Sequence, residues 1–101
     1  MTPRYQLTAP AERDLEEIFF EVKRRHGQLV AERVYDNLLR TFDLLARMPE
    51  MGRHRPELWS PPYRFWVTGP AFIAYRGDLR PIRMVRIARA SRDWSRFAPR
   101  G

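Results

Sequence analysis

The sequence predicts an α+β fold in the order βααβββ, a helical hairpin packed on a small, mainly antiparallel sheet. Three observations carry that expectation. From Ala9 to Arg47 apolar residues recur at three- and four-residue spacing, broken once at Gly27. Beyond Pro62 the period falls to two, and the alternating stretches are punctuated by Gly69-Pro70 and by Gly77 to Pro81. A change of period from helical to pleated reads as helices followed by a meander. Finally, 101 residues suit a single domain built on one core, spanning residues 1–101.

Arg4 to Thr8 alternates weakly and stops at Ala9-Pro10, so it reads as a first strand. Thr8 is placed to cap a helix. Pro10 falls in the first turn, and Glu12 and Asp14 lie where carboxylates complement the helix dipole. Ala11, Leu15, Ile18, Phe19 and Val22 make one apolar face, while Arg13, Glu16, Glu17 and Lys23 point to solvent. Gly27 follows Arg24, Arg25 and His26 and suits the residue just past a helix end. The second helix, Leu29 to Arg47, carries Ala31, Val34, Leu38, Phe42 and Leu45 on its stripe, and Pro49 follows it. So short a link around Gly27 forces an antiparallel hairpin. Tyr35 and Leu39 widen the stripe and raise the question of an apolar groove.

Met48 to Pro62 holds four of the nine prolines and has no period, so it is a loop. Tyr63 to Thr68, Phe72 to Arg76 and Ile82 to Ala90 are strands. In the first of these, Tyr63, Phe65 and Val67 share one face and Arg64 and Trp66 the other. The last strand mixes apolar residues with arginine on both faces. That pattern predicts a central strand with one face under the helices and the other partly open.

Charge divides the chain. Residues 1–50 hold 8 basic and 9 acidic side chains, whereas residues 51–101 hold 11 basic and 3 acidic. All of the excess lies in the second half, and it calls for an acidic partner, either nucleic acid or an acidic protein segment. There is no cysteine, hence no disulfide and no cysteine-based metal site. No metal and no cofactor is expected. No apolar run approaches the roughly 18 residues of a membrane span, and the amino terminus lacks a signal-peptide core, so a cytoplasmic protein is expected.

The densest chemistry lies in Pro81 to Phe97, where Arg83, Arg86, Arg89 and Arg92 are interleaved with apolar residues. A row of guanidinium groups on a rigid strand suits phosphates or carboxylates. His54 is the alternative chemical candidate. A lone histidine in a basic loop, with no carboxylate or second histidine near it in sequence, reads first as a solvated side chain and only then as a general base.

Five stretches together resemble the RelE/ParE superfamily of toxins from type II toxin-antitoxin pairs. They are L-T-x-x-A-E-R-D-L-E-E-I (Leu7 to Ile18), M-P-x-x-G (Met48 to Gly52), Y-R-F (Tyr63 to Phe65), I-A-Y-R (Ile73 to Arg76) and R-I-A-R-A-S-R-D (Arg86 to Asp93). No one of them is specific, but their order and spacing across nearly the whole chain are. The resemblance implies a βααβββ fold and a cognate antitoxin that wraps the toxin in a hetero-oligomer. It implies one of two activities, RelE-like cleavage of mRNA on the ribosome or ParE-like inhibition of DNA gyrase without nuclease chemistry.

Metal-free RNA cleavage needs a base for the 2′-hydroxyl, cations for the phosphorane and an acid for the leaving oxygen. By resemblance, Arg64 and Arg92 match positions of phosphate-binding arginines in RelE-like nucleases. Where those nucleases have a tyrosine or histidine near the carboxy terminus, this chain has Phe97 and Ala98. Arg89 stands where many relatives have histidine, and a guanidinium that stays protonated is a poor base. The long lysine-bearing helix of strong ribosome binders is absent as well. The pattern favours a ParE-like inhibitor over an enzyme, gripping gyrase through Arg64, Arg86, Arg89, Arg92 and Trp94. The alternatives are a ribosome-dependent endoribonuclease using Arg64 and Arg92 with His54 or Tyr63 as proton carrier, and an inactive antitoxin-binding module. Phe19, Tyr35, Leu39 and Phe42 are the expected contacts for an acidic antitoxin segment that folds on binding.

Overall fold

A computed structural model describes residues 4–99. The elements follow the expected order: β1 (Tyr5–Leu7), α1 (Ala9–His26), α2 (Gln28–Arg47), β2 (Tyr63–Thr68), β3 (Ala71–Arg76) and β4 (Ile82–Arg89), then a 3-10 turn at Trp94–Phe97. Thr8 caps α1, its hydroxyl accepting the Ala11 N–H at 3.1 Å. Gly27 alone joins the helices; its φ of +89° suits glycine, and its N–H closes α1 on the Lys23 carbonyl at 2.9 Å. The sheet order is β1-β4-β3-β2, with β1 parallel to β4 and the other neighbours antiparallel.

Helical periodicity lays Ala11 and Leu15 of α1 and Leu38, Phe42 and Leu45 of α2 against Ile73, Tyr75, Ile82, Met84 and Ile87 of the sheet. The opposite face of the sheet carries a second core, which corrects the expectation of a single one, while Arg83 and Gln6 on that face stay exposed, as expected of a partly open face. Trp59, Phe65, Phe72, Ala74 and Trp94 form a second buried cluster there. The physical reason lies in the proline-rich loop and the carboxy-terminal turn, which fold back over the sheet from opposite sides. The Trp59 indole N–H donates to the Trp94 carbonyl at 2.8 Å, and the Trp94 indole N–H donates to the Arg89 carbonyl at 3.2 Å. The two indoles pack edge-on at 5.7 Å between ring centres.

A bulge redirects β4. Ala74 pairs with Arg86 but Tyr75 pairs with Met84, which leaves Val85 as an extra residue. Ile82, Met84 and Ile87 therefore all reach the helix-side core, although period two would have separated Met84 from Ile87. Even alternation would set Arg86 apart from Arg83 and Arg89; with the bulge Arg86 joins the face of Arg83 and Arg89 turns to the other, so the expected single row of guanidinium groups does not form.

The loop after α2 is tied down from beneath. The buried Tyr75 hydroxyl donates to the Pro49 carbonyl and accepts the Gly52 N–H, each at 2.8 Å. A side chain at Gly52 would start 2.5 Å from that hydroxyl. The M-P-x-x-G and I-A-Y-R stretches are thus two halves of one hydrogen-bonded lock.

Candidate functional site

Strand β1 pairs with β4 only as far as Met84, because the chain turns into α1 at Thr8. From there side chains complete the outer edge of β4. The Thr8 hydroxyl donates to the Val85 carbonyl at 2.8 Å, and Asp14 Oδ2 accepts the Ile87 N–H at 2.9 Å. The same carboxylate takes Arg86 in a two-pronged ion pair, Nε to Oδ2 at 2.7 Å and Nη2 to Oδ1 at 2.9 Å. The Arg86 guanidinium also lies 4.3 Å from the centre of the Phe97 ring. Asp14, read from the sequence as a dipole-complementing residue, is in fact nearly buried and joins helix to sheet.

Beyond that pair, α1 and the end of β4 diverge into an open cleft of about 950 Å³. One wall carries Glu17 and Glu21 of α1, the other Arg89 and Arg92, with Phe97 at its margin. Both arginines are exposed, and neither forms an ion pair among the described residues. The Arg92 guanidinium lies 5.5 Å from the centre of the Phe97 ring. Asp93 caps the 3-10 turn that holds Phe97 in place, and the Ser95 hydroxyl bonded to its carboxyl keeps that group below the usual aspartate range.

The predicted residues are only partly brought together. Arg89 and Arg92 share one end of the sheet. Arg86 lies beside them but is held by Asp14. Arg64 is half-buried on the helix side, where Nη1 donates to the Gly52 carbonyl at 2.8 Å. Trp94 is 2% exposed, so it anchors the carboxy-terminal turn and offers no surface to a target. The trio of the nuclease alternative is dispersed as well. His54 Nδ1 lies 3.1 Å from the Tyr63 carbonyl oxygen at one end of β2, whereas Arg92 follows the strand end that lies level with Thr68. Five residues of strand separate those ends, about 17 Å.

Of the expected antitoxin contacts, Phe42 is fully buried against Tyr5, with ring centres 5.5 Å apart, because it lies on the stripe that meets the sheet. Leu39 packs beside the same core. Phe19 and Tyr35 remain half-buried at the hairpin surface as an edge-to-face pair at 5.9 Å. Phe20, unmarked in the sequence reading, stands 61% exposed next to them. Its signal was an aromatic residue one position off the helical stripe. Among the described residues no helix is long and apolar enough to cross a membrane, and no acidic, histidine or cysteine cluster suited to a metal forms.

The fold and sequence together define the class. The family model for the ParE toxin of the type II toxin-antitoxin system parDE matches residues 5–94, so the chain belongs to the ParE toxin family. A structure of the chromosomal ParDE toxin-antitoxin system from P. aeruginosa shares the fold, with a TM-score of 0.71 and 23% identity, covering 84% of this chain and 92% of that one. Comparison with curated proteins gives no match. The chain is therefore a ParE toxin of a type II toxin-antitoxin system.

Proposed function

We propose that this toxin acts by binding DNA gyrase, not by cutting RNA, with Arg89 and Arg92 as the target-facing cations. The observation that supports this most is the exposed Arg92 guanidinium 5.5 Å from the centre of the Phe97 ring, beside exposed Arg89; by the family resemblance Phe97 stands near where a RelE-like nuclease has its proton carrier. Cations without a base or acid can hold a charged partner but cannot complete proton transfer. Gyrase inhibition implies action in the cytoplasm.

An acidic antitoxin segment is the proposed neutralising partner, in a hetero-oligomer. Phe19, Phe20, Tyr35 and Leu39 would receive its apolar side chains, and Arg89 and Arg92 its carboxylates. The test is a gyrase supercoiling assay with purified toxin, run beside ribosomes programmed with mRNA. Blocked supercoiling or trapped cleaved DNA, with intact mRNA and loss of the effect in Arg89→Ala/Arg92→Ala, is the expected result. Cutting of mRNA in the ribosomal A site would overturn the proposal, and inhibition of neither system would point to an inactive antitoxin-binding module.

A further inference from the structure

One level of the sheet carries an unusual set of side chains. Tyr63 pairs with Arg76, Arg76 with Arg83, and Arg83 with Gln6, so one residue from each of the four strands lies in register. All four point away from the helices, since Tyr5, Leu7, Tyr75, Ile82 and Met84 beside them pack in the helix-side core. The aromatic cluster covers this face from Trp59 to Trp94 but leaves Arg83 and Gln6 exposed.

Two arginines directly opposite each other on neighbouring strands repel and destabilise the sheet. Asp78 offsets one of them, accepting Arg76 Nε at 2.8 Å and Nη2 at 2.7 Å, while the Arg76 guanidinium lies 5.5 Å from the centre of the Tyr63 ring. That hydrogen-bonded pairing holds the Asp78 carboxyl below its usual range, with the nearby Arg80 charge acting in the same direction. Arg83 forms no ion pair among the described residues. Arg76 and Arg80 thus share the one carboxylate, and Arg83 is the exposed guanidinium of the row whose charge is left over.

We propose that this row is a nucleic-acid backbone contact, with Arg83 binding a phosphate, Gln6 donating beside it, and the Arg76-Tyr63 stack fixing the geometry. The charge of the row complements a phosphodiester, and guanidinium and amide donors side by side match phosphate oxygens. The row faces away from the helix-side cleft, so this contact is separate from the proposed grip of Arg89 and Arg92 and independent of gyrase as the target.

The test uses the full chain alone, with fluorescence anisotropy of short fluorescein-labelled duplex and single-stranded DNA of one sequence across a salt series. Both probes are expected to bind, because backbone contacts carry no base preference. Arg83→Ala should weaken binding about fivefold or more and lower the slope of log affinity against log salt by about 1, as loss of one phosphate contact requires. Arg83→Lys should retain most of the affinity. Arg33→Ala, which removes an exposed charge on α2, should leave affinity and slope nearly unchanged. Equal losses in Arg83→Ala and Arg33→Ala would overturn the proposal in favour of diffuse charge attraction, and an unaffected Arg83→Ala would overturn it outright. Because gyrase is absent from the assay, the outcome is read independently of the proposed toxin target.

Discussion

Replacing Asp14 with alanine should be among the most damaging single changes on the helix-sheet seam. The carboxylate does two jobs at once, holding Arg86 through two bonds and accepting the buried Ile87 N–H. Leaving that N–H without a partner costs about 1–3 kcal/mol. Breaking a buried ion pair costs about 3–5 kcal/mol, but this figure must be discounted because the Arg86 side chain is 25% exposed and can turn toward water. Together the expected loss is about 3 kcal/mol, a large share of the 5–15 kcal/mol typical of a small protein. At a urea dependence of about 1.5 kcal/mol per molar, the unfolding midpoint should fall by about 2 M. Asp14→Asn keeps an acceptor for Ile87 but loses the charge, so it should cost about half as much. A double-mutant cycle with Arg86→Met should return a coupling of about 1 kcal/mol or more. An additive cycle, or a midpoint shift in Asp14→Ala below about 0.3 M, would refute the reasoning. If Arg86 were instead a target contact, Arg86→Met would abolish toxicity while leaving the midpoint in place.

Two further outcomes concern the lock beneath the loop. Tyr75→Phe should destabilise the fold by about 1–3 kcal/mol, since the Gly52 N–H loses its acceptor. Burial raises the Tyr75 hydroxyl above the ordinary tyrosine value, so its contribution is complete below the unfolded value of about 10 and declines as pH rises through the folded one. Urea midpoints measured from neutral to strongly alkaline pH should therefore fall less steeply in Tyr75→Phe than in the parent; the remaining slope comes in part from Tyr5, which burial raises in the same direction. Gly52→Ala should cost at least as much as Tyr75→Phe, because the new Cβ would start 2.5 Å from the hydroxyl and 2.7 Å from the Tyr75 ring. A Gly52→Ala protein with an unchanged melting temperature would show that the loop can move aside.

The elements were legible because each has a local cause. Thr8, Gly27 and the Gly69-Pro70 turn mark boundaries within a few residues of where the chain changes direction, and the helical stripes repeat long enough to be unambiguous. The second core was not legible, since Trp59 and Trp94 are 35 positions apart and neither lies on a periodic stretch. The bulge at Val85 is likewise invisible to a count of alternating residues, and it decides how the arginines of β4 divide: Arg86 joins the face of Arg83, and Arg89 takes the helix side. Arg89 and Arg92 remained at the surface as expected. Trp94 and Phe42 did not, because an aromatic side chain beside charged neighbours reads equally well as surface or core until its partners across the fold are known.

The short connection from β1 into α1 works as a measuring device. Thr8 and Asp14 must reach the Val85 carbonyl and the Ile87 N–H respectively, and six residue steps separate them. A helix turns about 100° per residue, so adding or deleting a single residue between Thr8 and Asp14 would swing the carboxylate away from the sheet while the cap stayed in place. This part of the chain can exchange side chains at Arg13 or Glu12 with little effect, yet it has no freedom of length. Along Met48 to Pro62 the constraint is more local: an extra residue at the exposed Pro56-Glu57 would fall within the turn that the Leu58 and Trp59 N–H groups close on the Arg55 carbonyl, leaving the Tyr75 lock, α2 and β2 in place.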